Sequence, residues 1–323
     1  MDIGLARSLK INQLRLIASI AEHGQLSLAA DDLAITQPAA SRMLSEVEQL
    51  LGAKLFERHP KGMVLTLLGN ALAKRSHNLL VELRDMSREL EELRQGWGGT
   101  TAVGAVTGAA VGSVIPAIQQ LKSVSPKAEI DINVDTSDVL VRDMIAGKND
   151  FVLARLPSHF DPNDFDIYPA RNETVKLLVR DDHPLAKAQK IDIADLANYE
   201  WVMQSHRAPM RDAVESAFLA TGAQLPQNIT NSTSLLAMIA ILVSSSAIAP
   251  LASEVSDLLI GEQVGAKLTS LDVDCEIRMS PYYLLLVKGR QLSPVANRLK
   301  NLVAAELAKR KGGTISQGEA TSS

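Results

Sequence analysis

Residues 27–52, SLAADDLAITQPAASRMLSEVEQLLG, constrain this chain more than any other stretch. Ser27 is placed to cap a short helix carrying Leu28, Ala29, Ala30 and Leu33. Its hydroxyl can satisfy an N–H group that a helix start leaves free. After a break at Ala34-Ile35, Thr36 is placed to cap a second helix. The first turn of that helix tolerates Pro38, since an N–H there would have no partner anyway. Small Ala29 and Ala30 let two helices approach closely across a short turn, the helix-turn-helix arrangement. Val47, Leu50 and Leu51 are expected on the inward side of the second helix, with Gly52 at its left-handed end. Its outward side offers Thr36, Gln37, Ser41 and Arg42, short polar groups and one guanidinium suited to base edges or phosphate. Two helices alone are equally compatible with an αα-hairpin that never meets nucleic acid.

The next residues shift that balance. Leu55-Phe56-Glu57-Arg58, a turn at His59-Pro60-Lys61-Gly62, and Val64-Leu65-Thr66 predict a two-stranded wing. Together with Ala29-Ala30, Leu33, Gln37-Pro38-Ala39, Ser41-Arg42, Glu48, Leu51-Gly52, Leu55-Phe56, Arg58, Leu65-Thr66 and Gly69, the chain resembles the LysR-type transcriptional regulators. It departs from the usual pattern at Gln25, Thr36, Ala40, Val47 and Leu68, which bears on which operator is read. The resemblance implies an α/β fold overall: a winged helix-turn-helix domain, a long linker helix, and a two-lobed α/β effector domain like a periplasmic binding protein. It implies that Ser27, Thr36, Gln37, Pro38, Ser41, Arg42, Arg58 and Lys61 face double-stranded DNA. It further implies dimers that pair into tetramers and bend DNA, contact with RNA polymerase, a small-molecule effector and no cofactor. The branch that controls sugar uptake and catabolism is a loose further likeness.

At 323 residues the chain has room for two or three domains, and 46% hydrophobic against 22% charged residues describes a packed protein. The net charge of −4 argues against a partner bound through bulk charge. Through Gly62, Arg7, Lys10, Arg15, Arg42, Lys54, Arg58 and Lys61 balance Asp2, Glu22, Asp31, Asp32, Glu46, Glu48 and Glu57. Such a domain is expected to bind DNA by fit more than by attraction. Cys275 is the single cysteine, so no internal disulfide forms, and a reducing cytoplasm is the expected setting. No apolar leader opens the chain, and the run 235–243 is too short to span a membrane.

Read in order, Leu14, Leu16, Ile17 and Ile20 predict a first helix over 12–22. Leu72, Leu79, Leu83, Met86, Leu90 and Leu93, with Ser76 in the vacant place, form a heptad seam through one helix over 66–95. The alternatives are a dimerising helix or one packed on its own domain. Gly96-Trp97-Gly98-Gly99 marks a joint. The expected domains are therefore 1–65, 66–99, 100–310, and a disordered tail over 311–323. Strands are expected at 102–106, 129–134, 150–154, 174–179, 201–203, 228–231, just before Pro250, and at 282–287. Helices are expected at 111–121, 138–146, 207–221 and 234–243, and from Val295 to Leu307. The βαβ rhythm of residues 102–154 predicts a parallel sheet covered by helices. The resemblance adds a return of the chain to the first lobe near Glu276.

In such sheets ligands bind beyond the carboxyl ends of the strands. That rule selects Thr107-Gly108, Thr136-Ser137 and Arg155 in one lobe, and Gln204-Ser205-His206 and Ser232-Thr233 in the other. Hydroxyl-rich loops suit a polar metabolite, a sugar or sugar-derived acid, with Arg155 as a fixed positive charge. Two alternatives stay open: the hydroxyl residues only cap helices, and Arg155 closes a structural ion pair with an acidic neighbour such as Asp150 or Asp135. Aromatic residues at 3% of the chain disfavour a stacking pocket. No HExxH, GxSxG or P-loop is present, and the six histidines are scattered without metal-ligand spacing, so neither catalytic nor metal residues are expected. Cys275 is expected to be a buried small hydrophobe. The rival reading is a binding or catalytic α/β protein whose helix-turn-helix is only a protein-interaction module.

Overall fold

The structure, a computed structural model, describes residues 9–60, 62–95 and 98–309, and for 88, 89 and 91–95 the backbone alone. Lys61, Gly96, Trp97 and the tail at 311–323 lie outside the described residues, as does the Leu93 side chain of the seam. The chain divides into two compact units, Met1–Gly96 and Trp97–Ser323.

The first unit runs α1 (Ile11–His23), α2 (Leu26–Asp32), α3 (Gln37–Leu51), β1 (Phe56–His59), β2 (Gly62–Leu65) and α4 (Leu67–Gln95). Leu16, Ile17 and Ile20 of α1 meet Ala29 and Ala30 of α2, Ala40, Leu44 and Val47 of α3, and Leu55 and Phe56 in one core. Each fully buried Leu or Ile there contributes about 1.5–3 kcal/mol. Thr36 caps α3, its hydroxyl accepting from Ala39 N–H at 3.4 Å, and Gly52 ends α3 in the left-handed conformation. Two expectations need correction. Ser27 lies inside α2, whose cap position is Gln25 with no side-chain bond; burial of Ala29 and Ala30 seats this helix without a hydroxyl cap. Leu50 is exposed, because the inward stripe of α3 runs through Leu44, Val47 and Glu48.

The wing is an antiparallel pair with Phe56 opposite Leu65 and His59 opposite Gly62. Gly62 holds a φ of 136°, and a side chain there would collide with the Gly24 carbonyl. That carbonyl accepts from Met63 N–H at 2.7 Å, fastening the wing to the end of α1. Along α4, Leu79, Met86 and Leu90 are exposed while Leu72 and Leu83 are half-buried.

In the second unit the first lobe holds β3 (Thr100–Ala105), β4 (Glu129–Val134) and β5 (Phe151–Ala154), with β3 parallel to both others. A continuous helix, α5, follows β3 as Thr107–Ala109, a π-helical turn Ala110–Val114, and Ile115–Val124. α6 (Ser137–Ile145) follows β4. The chain crosses to the second lobe along β6 (Phe165–Arg180). There it forms β7 (Trp201–Met203), α7 (Pro209–Ala220), β8 (Ile229–Asn231), α8 (Leu235–Ser244), β9 (Ala249–Ala252), α9 (Ser253–Ile260) and β10 (Leu268–Ser270). It returns along β11 (Ile277–Val287) and ends in α10 (Pro294–Lys309).

β6 and β11 form one antiparallel pair that runs through both lobes, from Ile277 opposite Val175 to Val287 opposite Phe165. The sequence showed only half of each strand, and the second lobe also holds α9 and β10, which it did not show. The return at Ile277 agrees with the expected crossover near Glu276. Register shifts fall between Met279 and Tyr283, where Pro281 has no N–H to give the ladder. The expected parallel pairing holds for β3, β4 and β5, while β11, β10 and β9 pair antiparallel, which makes the seven-stranded sheet mixed.

A buried ion pair, Arg290 to Asp150 at 3.1 Å, ties the returning chain to the first lobe. Asp150 also accepts from Ala102 N–H and the Thr101 hydroxyl. No helix among the described residues is long and apolar enough to cross a membrane.

Candidate functional site

The outward face of α3 presents Gln37, Pro38 and Arg42, all exposed, with Thr36 exposed at the cap and Ser41 half-buried. Core packing through Ala40, Leu44 and Val47 fixes that face outward. The sequence reading missed Ser45, exposed one turn beyond Ser41, whose hydroxyl donates to the Ser41 carbonyl at 2.9 Å. Its signal was available, since it lies on the polar side of the 3.6-residue period shared with Arg42. Ser27 is exposed on α2, and Arg58 is exposed on β1.

Glu48 sets the wing against this helix. Buried at the inward end of α3, its carboxylate accepts from Leu55 N–H at 2.9 Å and from Lys54 Nζ at 2.6 Å.

In the second unit the sequence-selected residues follow the strand ends as the sheet rule requires. Thr107 and Gly108 follow β3, Thr136 and Ser137 follow β4, and Arg155 follows β5. Arg155 N–H donates to the Ser137 hydroxyl at 3.0 Å, so two of these loops are joined. Thr136 occupies the cap position of α6 without a side-chain cap bond, and its side chain is exposed, as is that of Thr107. Of the two readings of Arg155, the geometry realises the ion pair, with a partner other than Asp150 or Asp135. Its Nη2 meets Glu173 Oε2 at 2.6 Å, and its Nε donates to the Ser280 carbonyl at 3.0 Å.

Glu173 is the residue sequence reasoning missed here. It is 2% exposed on β6, and burial raises its carboxyl above the usual range against the opposing pull of Arg155. Its signal was an alternation: Val175, Leu177 and Val179 are buried, and stepping back by two reaches a glutamate. A second pair, Arg171 to Glu254 at 3.6 Å, lies beside it. Tyr282 completes the group, its hydroxyl pushed up to about 12 by burial, with Glu254 and Glu173 adding to the effect. Gly108 closes against these groups, since a methyl there would strike Glu173 Oε1 and press on the Ala252 side chain.

In the second lobe Gln204, Ser205 and His206 follow β7, while Ser232 and Thr233 follow β8. Buried Arg211 of α7 gathers several of them. It donates to Asn231 Oδ1 at 2.8 Å and to the Gln204 carbonyl at 3.4 Å, and its Nη2 stands 3.3 Å from His206 Nε2. Glu215 holds Arg211 Nε at 2.6 Å. Ser232 N–H donates to the Met203 carbonyl at 2.9 Å, joining the two strand ends. Ser234, rather than Thr233, caps α8; Thr233 and Ser205 are exposed. A hollow of about 220 Å³ bounded by Tyr168, Leu284, Lys300 and Leu307 lies between α10 and the β6–β11 pair, and contains none of the selected residues. Cys275 is half-buried, a correction to its expected full burial, and burial raises its thiol above the ordinary value.

Two family models match the chain: "Bacterial regulatory helix-turn-helix protein, lysR family" over residues 11–70, and "LysR substrate binding domain" over residues 94–308. The HTH-type transcriptional regulator GbpR of Rhizobium radiobacter is 40% identical over 255 residues, covering 78% of this chain and 84% of that protein. GbpR of Azospirillum brasilense is 31% identical, over 90% of this chain and 85% of that one. Among solved structures, ArgP from Mycobacterium tuberculosis aligns with a TM-score of 0.62 at 16% identity, over 93% of this chain and 98% of its own. Full-length CbnR complexed with its target DNA aligns with a TM-score of 0.55 at 20% identity, over 92% and 100%. These structural likenesses show the fold.

Proposed function

The chain belongs to the LysR family of DNA-binding transcriptional regulators, and from that premise we propose that its two-lobed unit answers to a small hydroxyl-rich metabolite held between the lobes. The observation that carries this reading is the placement of polar side chains at the strand ends of both lobes. Thr107, Ser137 and Arg155 stand at one set of ends, and Gln204, His206, Ser232 and Thr233 at the other. A ligand with many hydroxyls needs a partner for each one it buries, and these loops supply donors and acceptors. Large aromatic side chains such as Phe151, Trp201 and Phe218 are consumed inside the cores, which leaves few for stacking on an aromatic effector. A sugar or sugar-derived acid is the ligand class this arrangement supports.

On DNA, α3 enters the major groove with Gln37 and Arg42 toward base edges, while Thr36 and Arg58 serve phosphates. The exposed stripe of Leu79, Met86 and Leu90 on α4 suits a second copy of the chain, so that two reading helices meet two half-sites. Pairing of dimers into tetramers and contact with RNA polymerase extend the same reading. The interaction-module alternative has no support beside a family match that covers both units.

The deciding experiment is calorimetric titration of the full chain with sugars, sugar acids and aromatic acids. Binding of a sugar or sugar acid that weakens in Ser137→Ala and Thr233→Val supports the reading. Tight binding of an aromatic acid, unaffected by those changes, overturns it and leaves the DNA-binding assignment intact.

A further inference from the structure

The interlobe site already contains a carboxylate of its own. Glu173 reaches in from β6, pairs with Arg155 Nη2 at 2.6 Å, and lies against the Gly108 backbone. The Ser280 carbonyl, at 3.0 Å, takes the neighbouring Nε, so one full edge of the guanidinium fork is engaged. A second pair stands beside it: Arg171, also on β6, faces Glu254 at the start of α9 at 3.6 Å, while burial pushes the Tyr282 hydroxyl on β11 up to about 12. Two guanidinium groups therefore meet two carboxylates, and the Arg155 charge is already shared with one of them.

We propose that Glu173 is the charge filter of this site. It fills, against Arg155 and Gly108, the place that the carboxylate of a sugar acid would need. The site consequently takes an uncharged polyhydroxylated ligand and turns its acid derivatives away. This rests on the effector reading above and narrows it from sugars and sugar acids to neutral sugars.

The physical cause is repulsion without compensation. A ligand carboxylate entering beside Arg155 also approaches Glu173, and the guanidinium that would offset the repulsion is already shared. A hydroxyl meets no such opposition and can accept from the remaining guanidinium edge or donate to the Glu173 carboxylate. The expected selectivity is on the order of tenfold or more in favour of the neutral ligand.

The test uses matched pairs that differ only in a CH2OH group replaced by a carboxylate. These are D-galactose with D-galacturonate, D-glucose with D-glucuronate, and D-mannose with D-mannuronate, each titrated calorimetrically into the full-length protein. In the wild type, at least one neutral sugar is expected to bind, with its uronate at least tenfold weaker. Glu173→Gln, which keeps an acceptor for Arg155 but removes the charge, should improve the uronate relative to its sugar by about tenfold or more. Glu173→Ala, which removes the carboxylate altogether, should shift the ratio in the same direction, and decides the matter together with the wild type if Glu173→Gln does not fold. A wild type that binds a uronate as well as or better than its sugar overturns the proposal, as does a folded Glu173→Gln with an unchanged ratio. Absence of binding by all six compounds to wild type and both variants overturns the filter together with the effector reading. Binding with the wrong selectivity overturns the filter alone.

Discussion

Replacing Glu48 with alanine should loosen the wing from the reading helix, and the structure sets the size of the effect. The Glu48 carboxylate accepts from Leu55 N–H at 2.9 Å, and Leu55 is fully buried, so no water can replace the lost acceptor. An unsatisfied buried N–H costs about 1–3 kcal/mol. The second bond, from Lys54 at 2.6 Å, adds little, because that lysine is 75% exposed; exposed pairs are worth about 0–1 kcal/mol. Glu48→Ala should therefore destabilise the first unit by about 2–3 kcal/mol, and Glu48→Gln, which retains an acceptor, by about 1 kcal/mol. Lys54→Ala should cost no more than about 0.5 kcal/mol. Since the chain has two units, one global unfolding curve would blend them. Hydrogen exchange of the peptide containing Leu55 isolates the effect: 2 kcal/mol corresponds to roughly thirtyfold faster opening. Unchanged exchange in Glu48→Ala, or an equal loss in Glu48→Gln, would refute the argument that the buried amide is what the carboxylate serves.

Three further outcomes are expected. Arg42→Ala should cost about 1–3 kcal/mol of operator binding and relax preference at one position, whereas Lys61→Ala should weaken all sequences alike and lower the salt slope by about one; a mobility-shift series over salt and operator variants reads both, and wild-type behaviour in both would misplace the DNA surface. Leu83→Lys should break the proposed dimer by putting a charge into the α4 seam beside exposed Leu79, Met86 and Leu90, and sedimentation of the folded variant showing an unchanged oligomer would place the seam within one chain. His183 is buried, with Nδ1 accepting from Leu185 N–H at 3.1 Å; burial holds its imidazole below the ordinary value, Arg180 acting the same way, with the Ser246 backbone and Asp182 opposing. The unfolded chain therefore takes up the proton first, so this contribution is present above the ordinary histidine value near 6.5 and is lost as pH falls through the lowered one. The melting temperature should drop from pH 7 toward pH 5 more steeply in wild type than in His183→Gln, and parallel curves would count against it.

The first unit was legible because its signals are local. A cap, a proline and a glycine bound α3 at Thr36, Pro38 and Gly52, and each acts within one turn of its own position. The errors there came from reading a residue type without its period. Ser27 had the chemistry of a cap but sits one residue inside α2, and Leu50 had the chemistry of a core residue but falls between the inward positions Val47 and Leu51. In the second unit the alternating β4 and the short apolar β7 were read at their true bounds. The first half of β6 was not, since FDIYPARNE is polar and contains Pro169, which argues against a strand in the absence of a partner. That partner, β11, lies more than a hundred residues away in the chain, with Met279 opposite Glu173.

The distance between those strands explains why the charge arrangement of the proposed effector site was out of reach. Arg155 could be located from a strand end alone, and its likeness to a ligand clamp followed from that position. Whether its charge is free depends on Glu173, and the face that Glu173 presents depends on the register of β6. A one-residue slip would turn Glu173 to the other face and carry Val175, Leu177 and Val179 out of the core with it. The apolar alternation therefore fixes the glutamate as firmly as it fixes the valines. The site's charge balance is in this sense a by-product of core packing: the hydrophobic residues that seat β6 also deliver a carboxylate to Arg155. A glutamate in that apolar row is tolerated because the guanidinium is waiting for it, with the Ser280 carbonyl holding the neighbouring Nε and the Ser137 hydroxyl the Arg155 backbone N–H.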